Sequence, residues 1–241
     1  MTLPSELPLH KLQFYVTTPY KCGYLPAKMA QSLIATPHHL VDNNIYSGLI
    51  QQGFRRSGKF AYRPHCEHCT ACIPTRIVLE KFSPSRSRKR ACKQHHDLVA
   101  HILPLAYHQD HFELYAHYQA ARHAEPENFN AEKDDAEQYR QFLCMSNVES
   151  LIVEFRDVEN RLKIVSMVDI VQDGVSAVYT FYDTSDRKSS YGTYSIMWQT
   201  EWTKSLNLPY LYLGYWIAAS EKMAYKEAFK PQEKFIDGEW T

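Results

Sequence analysis

No apolar run in the 241 residues approaches the roughly 20 needed to span a bilayer. The opening, MTLPSELPLH, has no basic segment leading into an apolar one. A secretion signal is therefore not expected, and a cytoplasmic location without membrane contact is. Internal repeats are absent too, and a composition of 44% hydrophobic and 22% charged residues excludes disorder and collagen-like structure. What remains is a chain able to bury a real core, as one large domain or two small ones.

Net charge is also missing, since 27 Lys and Arg balance 27 Asp and Glu. The balance is uneven along the chain. Residues 55–93 carry eleven Lys and Arg against Glu67 and Glu80, about +9, whereas residues 125–159 carry ten acids against Lys133, Arg140 and Arg156. A basic patch on a neutral protein points to local contact with an anionic partner rather than to general adhesion.

Six cysteines in a chain without a secretion signal read as thiols or metal ligands, not as a disulfide framework. In Cys66-Glu-His-Cys69-Thr-Ala-Cys72 the two-residue gaps let adjacent thiolates turn toward one cation. Three such ligands leave a tetrahedral site open. Cys22, in Lys-Cys-Gly-Tyr, is the leading fourth ligand, with His65, His68 and Cys92 as competitors. A structural zinc, an iron-sulfur cluster and metal-free packing of reduced thiols all suit this spacing.

Beside the cysteines, the block Gly53 to Pro64 alternates basic, aromatic and glycine residues. Phosphates call for Arg and Lys, and unpaired bases call for a π surface. Arg55, Arg56, Lys59 and Arg63 are the candidates there. Ser83-Pro84 is expected to open a helix through the basic run, which displays Arg86, Arg88, Lys89 and Arg90.

The element pattern predicts an α+β fold. Helices are expected at Pro26 to Ile34, Asn44 to Gln52 (ended by Gly53), Asp110 to Arg122 and Asp134 to Cys144, with an acidic loop between the last two. Strands are expected at Thr75 to Glu80 and Leu98 to Leu103, followed by an antiparallel meander of Leu151 to Phe155, Leu162 to Val171 and Val175 to Tyr182. Gln172-Asp173-Gly174 is its tight turn. A helix from Ser190 to Leu206, a strand from Tyr210 to Leu213 and a helix from Ala218 to Phe229 precede an irregular tail. The organisation expected is a small irregular N-terminal domain, 1–100, packed without a flexible linker on a domain of mostly antiparallel sheet, 101–241.

The blocks GFRRSGKFAYRPHCEHCTACIPTRI, FSPSRSRKR, YTFYD, YGTYSIMWQTEW and YLYLGYWIAASEKMAYKEAFKPQE resemble those of the aminoacyl-tRNA-protein transferases, the arginyl- and leucyl-transferases of the N-degron pathway. The resemblance covers nearly the whole chain, in family order, and its compactness is similar to the bacterial aspartate/glutamate leucyltransferases. One element departs. The eukaryotic Cys-Gly-Tyr-Cys stands here as Cys22-Gly23-Tyr24-Leu25, which weakens any transfer of metal binding from the eukaryotic enzymes.

The resemblance implies a GNAT-like acyltransferase domain that takes aminoacyl-tRNA in place of acyl-coenzyme A. Arg187-Lys-Ser-Ser-Tyr-Gly192-Thr is only a loose analogue of the glycine-rich pyrophosphate turn of acetyltransferases. It also implies leucine transfer from tRNA to the α-amine of proteins beginning with Asp or Glu, which marks them for degradation, with no catalytic cofactor. The carboxylate of such a substrate calls for a cation, with Arg76 and Arg187 as candidates. Asp183 is the candidate proton acceptor. Tyr179, Tyr212, Tyr215 and Trp216 are candidates for the wall of the aminoacyl pocket, where Gly214 permits close backbone approach. Arginyl transfer, a zinc-stabilised tRNA-binding module without activity, and a coenzyme-A acetyltransferase are the competing readings.

Overall fold

The computed structural model describes residues 12–123, 134–186 and 188–241. The first part runs β1 (Gln13–Val16), β2 (Tyr20–Lys21), β3 (Met29–Ala30), β4 (Ser32–Thr36), α1 (Asn43–Gln51), β5 (Arg55–Ser57) and β6 (Phe60–Pro64). Next come β7 (Ile73–Val78), α2 (Arg86–Gln94), β8 (Val99–Pro104), α3 (Gln109–His123) and α4 (Asp134–Tyr139), the last continued by a π turn to Cys144. The remainder is β9 (Ser150–Arg156), β10 (Leu162–Val171), β11 (Gly174–Tyr182), α5 (Tyr191–Ser205), β12 (Tyr210–Trp216), α6 (Glu221–Ala224), β13 (Gln232–Ile236) and β14 (Glu239–Trp240).

Two sheets carry the architecture. A four-stranded sheet has the order β1-β4-β6-β5, and an eight-stranded one has the order β14-β13-β7-β12-β11-β10-β9-β8. The large sheet is antiparallel except where β11 meets β12. Both of its faces are covered, so alternate residues of β10 enter different cores. Ile164 and Val168 join Phe155, Tyr194 and Met197 under α5, while Val165 and Met167 join Tyr139, Leu143 and Phe181 beneath α3 and α4. A third core, Ile45, Tyr46, Leu49, Ile50 and Phe54 with Val171 and Tyr212, welds the small sheet to the large one.

Local chemistry explains the elements that the sequence made legible. Asp42 caps α1 by accepting from the Ile45 amide at 2.9 Å, and Gly53, at φ +81°, turns the chain after it. The β10–β11 turn is Gln172-Asp173, with Val171 opposite Gly174. A side chain on Gly174 would strike the Tyr210 carbonyl.

The departures share one cause, partners distant in sequence. Residues expected as a helix from Pro26 to Ile34 are β3 and most of β4, because β4 is sandwiched between β1 and β6. A short apolar run fits either element until pairing decides. The tail is the β13–β14 hairpin, tied to β7. The helix expected from Ala218 to Phe229 is α6 plus a 3-10 turn, Tyr225–Ala228. The chain passes from the small sheet to the large one between β6 and β7. The acidic loop before Asp134 lies outside the described residues. No described helix is long and apolar enough to cross a membrane.

Candidate active site

β11 and β12 pair in parallel over Gly174–Ser176 against Tyr210–Tyr212 and then part. Each strand is irregular just beyond. The β10–β11 register slips at Val178, between the pairs Met167↔Tyr179 and Val168↔Ala177. The β12–β7 register slips at Leu213, and Gly214 follows at φ +76°. Such bulges bend a strand and end its pairing. The result is a wedge, and Arg55 of β5 fills its inner end. Its Nη2 donates to the carbonyls of Ala177 at 2.7 Å and Val178 at 3.1 Å, and its Nη1 lies where a Cβ on Gly214 would stand. Gly214 thus does permit a close approach, and the approaching group is Arg55.

Lys226 reaches the same place from the turn after α6. Its Nζ donates to the Tyr215 carbonyl at 2.7 Å and to the Met223 sulfur at 3.3 Å. Burial, then the charge of Arg55, pull its pKa down to about 7, with the Cys72 thiol opposing. Phenols surround the two cations. Burial, followed by Tyr62, pushes the Tyr24 phenol up to about 12 against the pull of Arg55. Burial also raises Tyr62 and Tyr215, again against Arg55. The Tyr215 hydroxyl donates to the Gly53 carbonyl at 3.0 Å, and Tyr179 of β11, whose ring packs beside Tyr115 and Phe181, lies within the field of Tyr24. These tyrosines stay protonated at neutral pH and offer donors and ring faces.

Behind Tyr62 and Tyr215 lies a cavity of about 330 Å³ lined also by Cys22, Cys66, Cys69 and Cys72. Burial, then the other three thiols, push Cys72 up to about 12. All four cysteines named by spacing therefore face one hollow. Their sulfurs are not drawn into a tight cluster: among the described residues, the one group of three metal-competent side chains with ligand atoms within 4.8 Å is Asp110, His111 and Glu154. Arg156 already binds both carboxylates of that group, at 2.6 and 2.7 Å.

A second hollow, about 490 Å³ and polar, lies between α2 and the start of α5, where Ser87, Arg90, Lys188, Ser190 and Thr193 meet. Arg86, Lys89 and Arg90 are exposed on α2, as is Lys59 in the β5–β6 hairpin. Arg88 packs its guanidinium 4.5 Å from the Phe229 ring and donates to the Ala228 carbonyl. Arg63 lies over Phe54 and donates to Gln52.

Several side chains singled out from sequence stand elsewhere than expected. Arg56 is no surface cation: it forms a two-pronged pair with Asp169, at 2.9 and 2.7 Å, with side chains 3% and 0% exposed. Arg55, on the next residue of the strand, faces the wedge rather than solvent. Arg76 does not reach the wedge. It binds Glu233 at 2.8 and 2.7 Å, donates to the Tyr212 hydroxyl at 3.1 Å, and sits between the rings of Tyr210 and Trp240. Tyr212 belongs to that cage, its hydroxyl donating to Asp173 at 2.9 Å. Trp216 lies under Lys234. Arg187 is outside the described residues. Asp183 binds Lys163 at 2.9 Å. Burial works to raise its pKa, but hydrogen bonds from Lys163 and Ser185 overcome it and hold the carboxyl at about 2, which makes it a poor proton acceptor.

Sequence reasoning passed over Lys226, Tyr24 and Tyr225 as site residues. Lys226 and Tyr225 sit in a block marked for its resemblance, but a lysine in a charged, helix-like run gives no sign that it will be buried.

The chain matches two family models, "Arginine-tRNA-protein transferase, N terminus" over residues 20–90 and "Arginine-tRNA-protein transferase, C terminus" over residues 110–236. It is 64% identical over 240 residues to an aspartate/glutamate leucyltransferase of Methylobacillus flagellatus, covering 100% of this chain and 95% of that one. A protein of the same name from Polynucleobacter asymbioticus is 53% identical, covering 100% and 98%. Another from Saccharophagus degradans is 40% identical, covering 96% and 97%.

Proposed function

The chain belongs to the arginine-tRNA-protein transferase family, and from that membership we propose that it moves leucine from leucyl-tRNA to the α-amine of proteins beginning with Asp or Glu. It is an aminoacyltransferase. What carries the choice of leucine and of acidic acceptors is that relatives bearing that name match it over almost their whole length, so the wedge, both hollows and the cysteines all fall within shared sequence. The charges at the wedge agree. Arg55 is a cation and Lys226, its pKa pulled down to about 7 by burial and Arg55, becomes fully charged beside an anion, a setting that suits a neutral leucyl group and an acidic acceptor better than an arginyl donor.

The sheet supports a GNAT-like reading of the catalytic half: β9, β10 and β11 as an antiparallel meander, α5 as the crossover, and β12 returning parallel to β11 with the wedge between them. In this reading the aminoacyl end of tRNA enters the wedge mouth past Tyr24 and Tyr179, whose rings suit an unstacked base. Lys59, Arg86, Lys89 and Arg90, with the polar hollow at the start of α5, receive phosphates.

The ester joining the amino acid to tRNA is already activated, so no other energy source is needed. With an α-amine pKa of about 7.7 to 8.0, roughly a tenth of the nucleophile is neutral at pH 7. Deprotonation therefore costs only about 1.4 kcal/mol. Orientation of the reactants and hydrogen bonds to the tetrahedral oxyanion supply the larger part of the acceleration. Tyrosine hydroxyls and backbone amides at the wedge are suited to that task.

Four thiols around one hollow, Cys22, Cys66, Cys69 and Cys72, form a soft donor set that would suit an iron-sulfur cluster, and would hold a structural zinc once their sulfurs drew closer together. Bound there, the metal would tie the β2–β3 loop to the Cys66–Cys72 turn and so brace Tyr24 and Tyr62.

The deciding experiment offers purified protein leucyl-tRNA or arginyl-tRNA with peptides that begin Asp, Glu, Asn or Ala. Labelled leucine should pass to the Asp and Glu peptides. Transfer of arginine instead of leucine would reassign the donor, and retention of tRNA without any transfer would make the chain a binding module.

A further inference from the structure

Most charges near the wedge are answered within the protein. Asp169 takes Arg56, Glu233 takes Arg76, Asp183 takes Lys163, and Glu227 takes Lys230 and Lys234. Arg55 and Lys226 differ. The partners of Arg55 are two carbonyls, and those of Lys226 are a carbonyl and a thioether. They converge on successive residues of β12, Arg55 against Gly214 and Lys226 on the carbonyl of Tyr215. Lys226 is only 7% exposed, and the charges bearing on it are the repulsion of Arg55 and the weak help of the Cys72 thiol.

A buried ammonium beside a half-buried guanidinium is costly unless an anion joins them, because desolvation penalises the lysine and the two like charges repel each other. Cationic nitrogens with donors to spare form short, strong hydrogen bonds to a carboxylate. Tyr225, the neighbour of Lys226 and half exposed, lies within the field of Arg55. Resting on the acceptor specificity proposed above, we propose that Arg55 and Lys226 together receive the side-chain carboxylate of the acceptor's N-terminal residue, and so are the residues that select Asp and Glu. The amide of Asn or Gln brings no charge and leaves both cations unanswered, so discrimination comes from the anion that only the acid supplies.

The test is the ratio of kcat/KM for peptides beginning with Asp and with Asn, at saturating leucyl-tRNA, in wild type, Lys226→Met, Lys226→Arg, Arg55→Gln and Arg76→Gln. The Asp preference should fall roughly tenfold to a hundredfold in Lys226→Met and Arg55→Gln. Lys226→Arg should restore much of it, Arg76→Gln should keep it, and the Kd for leucyl-tRNA should hardly move in Lys226→Met. Lys226→Met carries the test if Arg55→Gln does not fold. An undiminished ratio in a folded Lys226→Met would overturn the proposal while leaving the leucyltransferase reading intact. A large loss of tRNA affinity would overturn it too, by assigning the two cations to a phosphate. A wild-type enzyme that transfers leucine to Asp and Asn peptides alike would instead overturn the acceptor reading on which the proposal rests.

Discussion

Arg55 and Arg56 are neighbours on β5, yet one faces the wedge with carbonyls for partners and the other is locked to Asp169 in the core between the two sheets. The cage around Arg76 repeats the second pattern. Its charge is answered by Glu233 and its faces by Tyr210 and Trp240, so that β7, β12, β13 and β14 are pinned together. The comparison separates two uses of a basic side chain. A buried cation with a carboxylate partner fixes the fold, and one without such a partner awaits a ligand.

The contrast can be broken most directly at Arg56. Arg56→Met leaves Asp169 buried and unpaired, so unfolding in urea should show a loss of about 3 to 5 kcal/mol. A variant as stable as wild type would mean that the pair does not hold the sheets together. A smaller effect is expected at Gly214. Alanine there meets a left-handed backbone and the Arg55 guanidinium together, and should cost about 1 to 3 kcal/mol. Because Arg55 is displaced, transfer of leucine should fall further than the stability loss explains. Wild-type kcat/KM in Gly214→Ala would show that Arg55 need not sit against β12.

Asp183 gives the smallest effect. Its folded pKa, about 2, lies below the ordinary 3.8, so the stability it contributes is present above pH 4 and is lost as pH falls toward 2. The side chain is 23% exposed, and after screening the contribution is about 1 kcal/mol or less. Wild type and Asp183→Asn, unfolded in urea at pH 6 and at pH 2.5, should differ by that amount at the higher pH and by about a third of it at the lower. A constant difference would place the effect of the substitution outside the Lys163 pair.

Where local chemistry sets structure, the sequence was a sufficient guide. The cap and glycine bracket α1, and the alternating runs with a two-residue turn give β9 to β11. The grouping of Cys66, Cys69 and Cys72 with Cys22 around one hollow was also within reach, because the first three are close along the chain and only the fourth required the fold. The two N-terminal sheet strands β1 and β4, and the β13–β14 hairpin, were not, since short runs with little periodicity take their form from distant partners.

The candidate site was the hardest part to read for the same reason. All the arginines involved are alike in composition and stand in similarly basic or aromatic surroundings. Alternation along β5 sends Arg55 and Arg56 to opposite sides, but nothing local says which side holds an acid. Asp169, the partner of Arg56, is 113 residues away, and Glu233, the partner of Arg76, is 157. The sequence by itself determined the family, the spacing of the cysteines and most of the elements of the large sheet, because these rest on residues near one another or on blocks shared with relatives. Only the tertiary structure decided which cations are neutralised and which are left facing a wedge, because electrostatic compensation depends on distance in space, and that distance is set when β5, β11 and β12 are brought together.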